Sequence, residues 1–386
     1  LRGSAGLFQG RNPLVWLSNA YSNRGVVARQ TVTNATFNSN PGTSTGTGGI
    51  PVINVTDPDF KTPLTWKGSL ALDHTLPFGG LVLTAEFSAS QTDQMPFVTN
   101  LNLRQTGVLP DGRALFAGGA VAGTNTSRGT SASNPYTNPA NYRDPRFADV
   151  FYLTNSSKGG GWDTTLRLSK PWKNNWSASL AWTRSDYTEV TPMTSSVAQS
   201  NFNGRALVNS NEDVAATSNY NIDDKIVGIF TKRFEFVKRF PTTVSAIFEA
   251  RTGRPYSWVF FGDANGDGFS FNDLYYVPTG PTDPKVRWTN PTQRDAFFAF
   301  AAANGLNNYA GRVVPRNSER SPWVATMDLK VTQTIPLFRR LYSELFVNVI
   351  NFANLFDKRF GRLEEIPFAY RRALGSATFD AATNQY

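Results

Sequence analysis

At 386 residues the chain has length for two or three soluble domains, yet only 17% of it is charged, below the usual quarter, while aromatics reach 13%. The absence of Cys excludes disulfide scaffolds and Cys-based zinc sites, and no apolar run approaches the ~18 residues of a spanning helix. The net charge of +9 is dispersed Arg and Lys with no long basic run, so it reads as a scattered excess and not as a nucleic-acid footprint.

In chain order, Leu1 opens directly into LRGSAGLFQGRNP without a basic-plus-apolar leader, which predicts a mature chain or a fragment. Leu14–Leu17 reads as a strand, Val26–Val32 as its return, and Ser39–Gly49 (SNPGTSTGTGG) as a loop. The first clear hairpin is Ser69–Ser90, turning at Pro77–Phe78. Leu70 and Leu72 share a face of one arm, and Leu81, Leu83, Ala85 and Phe87 a face of the other. A long polar excursion, 91–147, follows, then a short strand at Val150–Leu153.

The second hairpin, Thr165–Asp186, turns at Pro171–Trp172. Trp176, Ala178, Leu180 and Trp182 share one face, with Trp172 and Tyr187 expected to extend it. At ~3.3 Å per residue and a tilt of about 40°, the two Trp rings stand about 15 Å apart along a barrel axis, short of the ~25 Å apolar band. The third hairpin, Ile226–Arg251, turns within Phe234–Phe240 and is followed by Arg254–Phe261 and then by GDANGDGFSFNDLYY. A single helix is predicted between Asn290-Pro291 and Asn304-Gly305 around RDAFFAFAAA, a short helix in a loop.

The last hairpin, Trp323–Asn354, turns within Ile335–Arg340. Ala325, Met327, Leu329 and Val331 line one face, Thr326, Asp328, Lys330 and Thr332 the other. Leu345, Val347 and Val349 continue the apolar side, opposite Glu344 and Asn348, while Phe346 and Ile350 interrupt the wet side. Four hairpins with tight turns, separated by long Gly-, Asn-, Ser- and Thr-rich stretches, predict an all-β fold: an antiparallel transmembrane β-barrel with short turns on one side and long loops on the other.

The most specific local pattern is Asp263, Asn265, Asp267 and Gly268, the start of a calcium loop, in which oxygens at alternate positions fold round a hard cation. Position twelve holds Leu274 where the bidentate acid belongs, and Asp273 comes one place early. Two readings stand: a loop that binds calcium through Asp263, Asn265, Asp267 and Asp273, or a Gly/Asp turn using the same residues. No enzyme is expected. His74 is the only histidine and has no nucleophile motif to serve, and Glu364-Glu365 are adjacent strand positions that face opposite ways. Arg316, Arg320, Arg371 and Arg372 read either as a binding rim or as partners of wall carboxylates such as Asp328, Glu344 and Glu364.

Four stretches resemble the barrel of TonB-dependent outer-membrane receptors of the Oar-like group. RGSAGLFQGRNPLVWLSNAYSN (Arg2 to Asn23) is similar to a mid-barrel segment and GDANGDGFSFNDLYYVP (Gly262–Pro278) to a loop leading into a strand. RNSERSPWVATMDL (Arg316–Leu329) resembles the approach to a late strand, and FVNVINFANLFDKRFGRLEEIPFAYRR (Phe346–Arg372) the segment before the final one. The resemblance implies the later half of a large barrel, 1–386 forming one barrel domain and a fragment, with the plug domain and final strand outside the chain. It implies energy-coupled import across the bacterial outer membrane. The partners are outer-membrane lipid and lipopolysaccharide, TonB acting through the plug, and an imported ligand, with no nucleic acid. The alternatives are a passive outer-membrane channel, or a soluble calcium-bound β-sandwich whose Leu and Trp faces are buried against a second sheet.

Overall fold

The computed structural model describes residues 1–11, 14–22, 39, 51–116, 142–338, 340–377, 379–380 and 382–386. Nine strands form one continuous antiparallel path. They are β1 (Arg2–Gln9), β2 (Leu64–Thr75), β3 (Val82–Asn100), β4 (Gly159–Lys173), β5 (Trp176–Glu189), β6 (Asp224–Val237), β7 (Phe240–Arg251), β8 (Val324–Pro336) and β9 (Tyr342–Val349). Each pairs with its neighbours in chain order, and among the described residues the path is open at β1 and β9.

The register carries one face unbroken across the sheet. Leu70 pairs with Phe87, Leu83 with Leu168, Leu166 with Trp182, Trp182 with Ile226, Phe248 with Met327 and Val331 with Val347. Residues directly opposite in a ladder share a side, so the period-two pattern of every strand adds to one apolar surface. That surface is uncovered: Leu180 is 57% exposed, Trp182 39% and Leu345 62%. Leu72, Leu83, Leu168 and Val347 are exposed with them. Each such side chain left in water forgoes about 1.5–3 kcal/mol, a sum that a soluble domain stable by roughly 5–15 kcal/mol does not absorb. No second sheet lies over this face among the described residues, which overturns the soluble sandwich.

The opposite face is wet and internally paired. Arg2 meets Asp73 at 3.2 Å and Glu86 at 3.3 Å, Thr84 donates to Asp73 at 2.7 Å, and Lys225 meets Glu249 at 3.2 Å. Phe346, an interruption in the sequence pattern, lies under Lys330, whose Nζ is 4.8 Å from the ring centroid. Tyr187 also belongs here. Its hydroxyl donates to Asp163 at 2.7 Å, so it does not extend the outward Trp face as expected.

All four short turns lie at one end of the sheet. The second turns at Asn174–Asn175 (φ 58° and 60°), not at Pro171–Trp172, which lie inside β4 where the register slips between Lys170 and Lys173. The third turns at Arg239 (φ 72°) after a slip between Phe234 and Val237.

At the other end the long connections fold into a cap, and there the apolar core sits. Trp258, Phe260, Tyr276, Val277, Leu306 and Val314 are buried together. Phe151, Phe202 and Phe269 form a second group with ring centroids 5.3–6.3 Å apart. The 19 residues of β3 run well beyond the ~9–11 that cross a bilayer, and their upper end (Phe97, Val98, Asn100) is buried in the cap. The polar excursion thus begins after Asn100, not at 91. Val150–Ser156 pairs with that upper end, and Ile53–Thr56 with it in turn. Pro255–Phe260 pairs in parallel with Arg371–Gly375.

Three α-helices occur among the described residues. α1 (Leu14–Ser22) replaces the strand expected at Leu14–Leu17; Trp16 and Leu17 turn inward to the Phe151 group, and Trp16 Nε1 donates to Ser195 O at 2.7 Å. α2 is Ala198–Asn203. α3 (Pro291–Ala303) is the expected helix: Asn290 accepts from the Thr292 and Gln293 N–H groups, and Gly305 (φ 72°) follows its end. Val26–Val32 and all of Ser39–Gly49 except Ser39 lie outside the described residues.

Candidate functional site

Where the wet face of the sheet meets the cap there is a chamber of about 630 Å³. The register explains its wall. Lys67 pairs with Ser90, Ser90 with Gly161, and Gly161 with Tyr187, so Lys67, Ser90 and Tyr187 share the wet face of β2, β3 and β5. Its roof comes from the cap: Trp16, Pro192, Met193, Tyr220 and Asn221. The roof is tied to the wall, because Asn221 accepts from the Tyr187 N–H at 3.0 Å and Ser185 donates to Ile222 O at 2.6 Å. Hydroxyls and amides lie beside aromatic rings, and Lys67 has no carboxylate within ion-pair reach among the described residues. Its volume falls in the range of ordinary small-ligand cavities.

Asp263, Asn265, Asp267 and Asp273 come together as one buried loop in the cap, each no more than 1% exposed. Asp263 accepts from the N–H groups of Gly266 and Gly268, both at 2.7 Å. Asn265 accepts from Asp267 N at 2.9 Å, and Asp267 from Phe269 N at 2.8 Å and from the Ser210 hydroxyl at 2.6 Å. Asp273 accepts from Ala264 N at 2.8 Å and stands 3.6 Å from Arg113, itself buried. Arg113 also donates to Asp111 at 2.7 Å and to the carbonyl of Leu274, the twelfth position of the loop, at 2.6 Å. Burial first, then the neighbouring Asp267, pushes the Asp273 carboxyl well above the usual carboxylate range, against the pull of Arg113. Among the described residues no group of three or more acidic or histidine side chains is arranged to hold a metal. Backbone N–H groups, the Ser210 hydroxyl and one internal guanidinium are among the partners of this loop's charges.

A family model described as an outer membrane beta barrel domain matches residues 1–357. The chain belongs to the outer membrane β-barrel domain family. Comparison with curated proteins found no match. Membership places this barrel in the bacterial outer membrane, in accord with its uncovered apolar face.

Other residues singled out in the sequence take quieter places in the barrel. His74 pairs with Leu83 on the outward face, one residue from the end of β2. Glu365 takes Arg251 at 2.6 Å and Arg254 at 3.6 Å, while Glu364 pairs with Arg362. Among the described residues none of the four arginines pairs with Asp328, Glu344 or Glu364, but one of them does meet a carboxylate beside the wall, as the second reading expects. Arg320 is bidentate on Asp223, both contacts at 2.8 Å. Arg316 donates to the carbonyls of Glu189 and Val190, Arg371 to Asn203 O, and Arg372 stacks over Trp258. One carboxylate, cap carbonyls and a ring hold them. The chamber residues carried little sequence signal, because Ser90, Tyr187 and Asn221 are ordinary strand and loop residues until the register joins them.

Proposed function

We propose that this barrel is the wall and outer cap of a TonB-dependent transporter, importing a ligand through the chamber between its wet face and its loops. One observation carries the reading. The outer loops fold over the wet face with a hydrophobic core of their own and roof a chamber, where a passive channel keeps that end open. The likeness of four stretches to Oar-like receptors supports it. Lipid tolerates no unpaired strand edge, so on this reading further strands of the receptor join β1 and β9, and a plug domain contacts TonB.

Full-length receptor in a planar bilayer with KCl tests this, together with binding of the purified periplasmic domain of TonB. Negligible steady conductance with saturable TonB binding is expected. Open, ohmic conductance without TonB binding would establish the passive channel instead.

A further inference from the structure

A second cavity, about 540 Å³, lies in the cap around the start of α3 and shares no lining residue with the chamber. We propose that it is a carbohydrate-binding pocket, walled by Trp288, Tyr276 and Tyr386 and edged by Arg287, Gln293 and Asp380.

The walls are aromatic and already held. Trp288 packs on Phe297 with centroids 5.5 Å apart and on Phe298 at 5.8 Å. Tyr276 spends its hydroxyl on Asp283 at 3.0 Å and Tyr386 spends its own on Asp111 at 2.9 Å. With the hydroxyls committed elsewhere, the rings are what these residues offer the cavity.

The edge is polar and its donors are uncommitted, while Asp380 accepts from the Ala382 N–H at 2.9 Å. Arg287 and Asp380 stand 3.9 Å apart, beyond hydrogen-bond reach, and the Gln293 amide has no protein partner among the described residues. A guanidinium, a carboxamide and a carboxylate side by side suit vicinal hydroxyls, which both donate and accept. The C–H face of a sugar ring packs on an aromatic ring. The Arg287–Asp380 pair sums to zero charge, so the edge does not select an ion. An acyl chain would offer the Arg287 and Gln293 heads no hydrogen-bond partner. The volume lies within the ~300–1,000 Å³ of small-ligand sites. Because the short turns of such barrels face the periplasm, the cap faces the medium, where sugars occur free and as the core of lipopolysaccharide.

Full-length protein in detergent is applied to a glycan array with neutral oligosaccharides in one set of spots and lipopolysaccharide core oligosaccharides in another. The Arg287→Ala/Gln293→Ala double variant runs beside it; both side chains are exposed, so the packed rings stay, and unchanged circular dichroism checks the fold. Retention of wild type by either set is expected, weakened about tenfold or more in the variant, and the set retained identifies the source. Failure of wild type to bind any glycan, or equal retention of the variant, would overturn the proposal. Neither result bears on conductance or TonB binding, so it fails or stands apart from the transport reading.

Discussion

Lys170 shows how single side chains hold this wall. It lies at the turn end of β4, where Pro171 cannot donate to the ladder and the register slips. Its Nζ donates to the carbonyls of Lys173 at 2.9 Å, Trp176 at 3.1 Å and Pro171 at 3.3 Å, over the Trp176 ring at 4.0 Å. Lys170→Met keeps the stem and removes the donor, so it should cost about 1–3 kcal/mol, seen as a lower urea midpoint of unfolding. An unchanged midpoint would mean that water serves those carbonyls equally well. Asp273 gives a pH prediction. Its carboxyl titrates higher in the folded cap than the ordinary 3.8, so over that interval the folded state binds more protons than the unfolded. Stability therefore falls as pH rises from the carboxylate range through the folded value. Asp273→Asn, which mimics the protonated acid, should flatten that part of the pH profile in denaturant unfolding; an identical slope in the variant contradicts the assignment. With Arg113 already supplying a buried cation, calcium and chelator should leave the melting temperature of the protein alike, and a rise with calcium would support the ion reading of the loop instead.

The hairpins were the legible elements. Period-two patterning marked four of them, and the register kept each apolar set on one side. Boundaries were less legible, for a physical reason visible at the second turn. Pro171 carries the louder turn signal, but a two-residue hairpin of type I′ needs φ > 0 at both central positions, and Asn174 and Asn175 supply it. Asn175→Val should destabilise the hairpin by roughly 1–2 kcal/mol, the strain of a left-handed backbone on a branched residue, while Asn175→Gly should be tolerated. Urea midpoints for the two variants check this, and equal midpoints would argue against the turn. β1 went unseen because RGSAGLFQ dilutes its alternation with small residues. α1 is ambiguous in sequence because LVWL is a short apolar run that suits either state, and its docking on the Phe151 group decides for helix. α3 is legible since its signals are local: an Asn cap, Pro at the first position and Gly beyond the end.

At the scale of the molecule, the core is where a soluble protein would not put it. The largest buried side chains, among them Trp258, Phe151 and Leu306, belong to the cap, while the wall leaves one face apolar and exposed. Composition foreshadowed that division, through few charges and many rings. The cap itself was illegible in sequence, because its contacts join segments more than a hundred residues apart, as Arg113 joins Leu274. The chamber was hidden for the same reason: only a register across β2, β3 and β5 brings its wall together.

Everything depends on lipid covering the outward face, and the absence of native Cys makes that directly measurable. Single cysteines introduced in turn from Ser177 to Trp182 carry a nitroxide label in reconstituted membranes, and collision rates with oxygen and with a water-soluble nickel complex are recorded by electron paramagnetic resonance. Oxygen collisions should peak at 178, 180 and 182 and nickel collisions at 177, 179 and 181, a period of two with opposite phase. Labels at 178, 180 and 182 that meet water, or that are shielded from both reagents, would contradict the account.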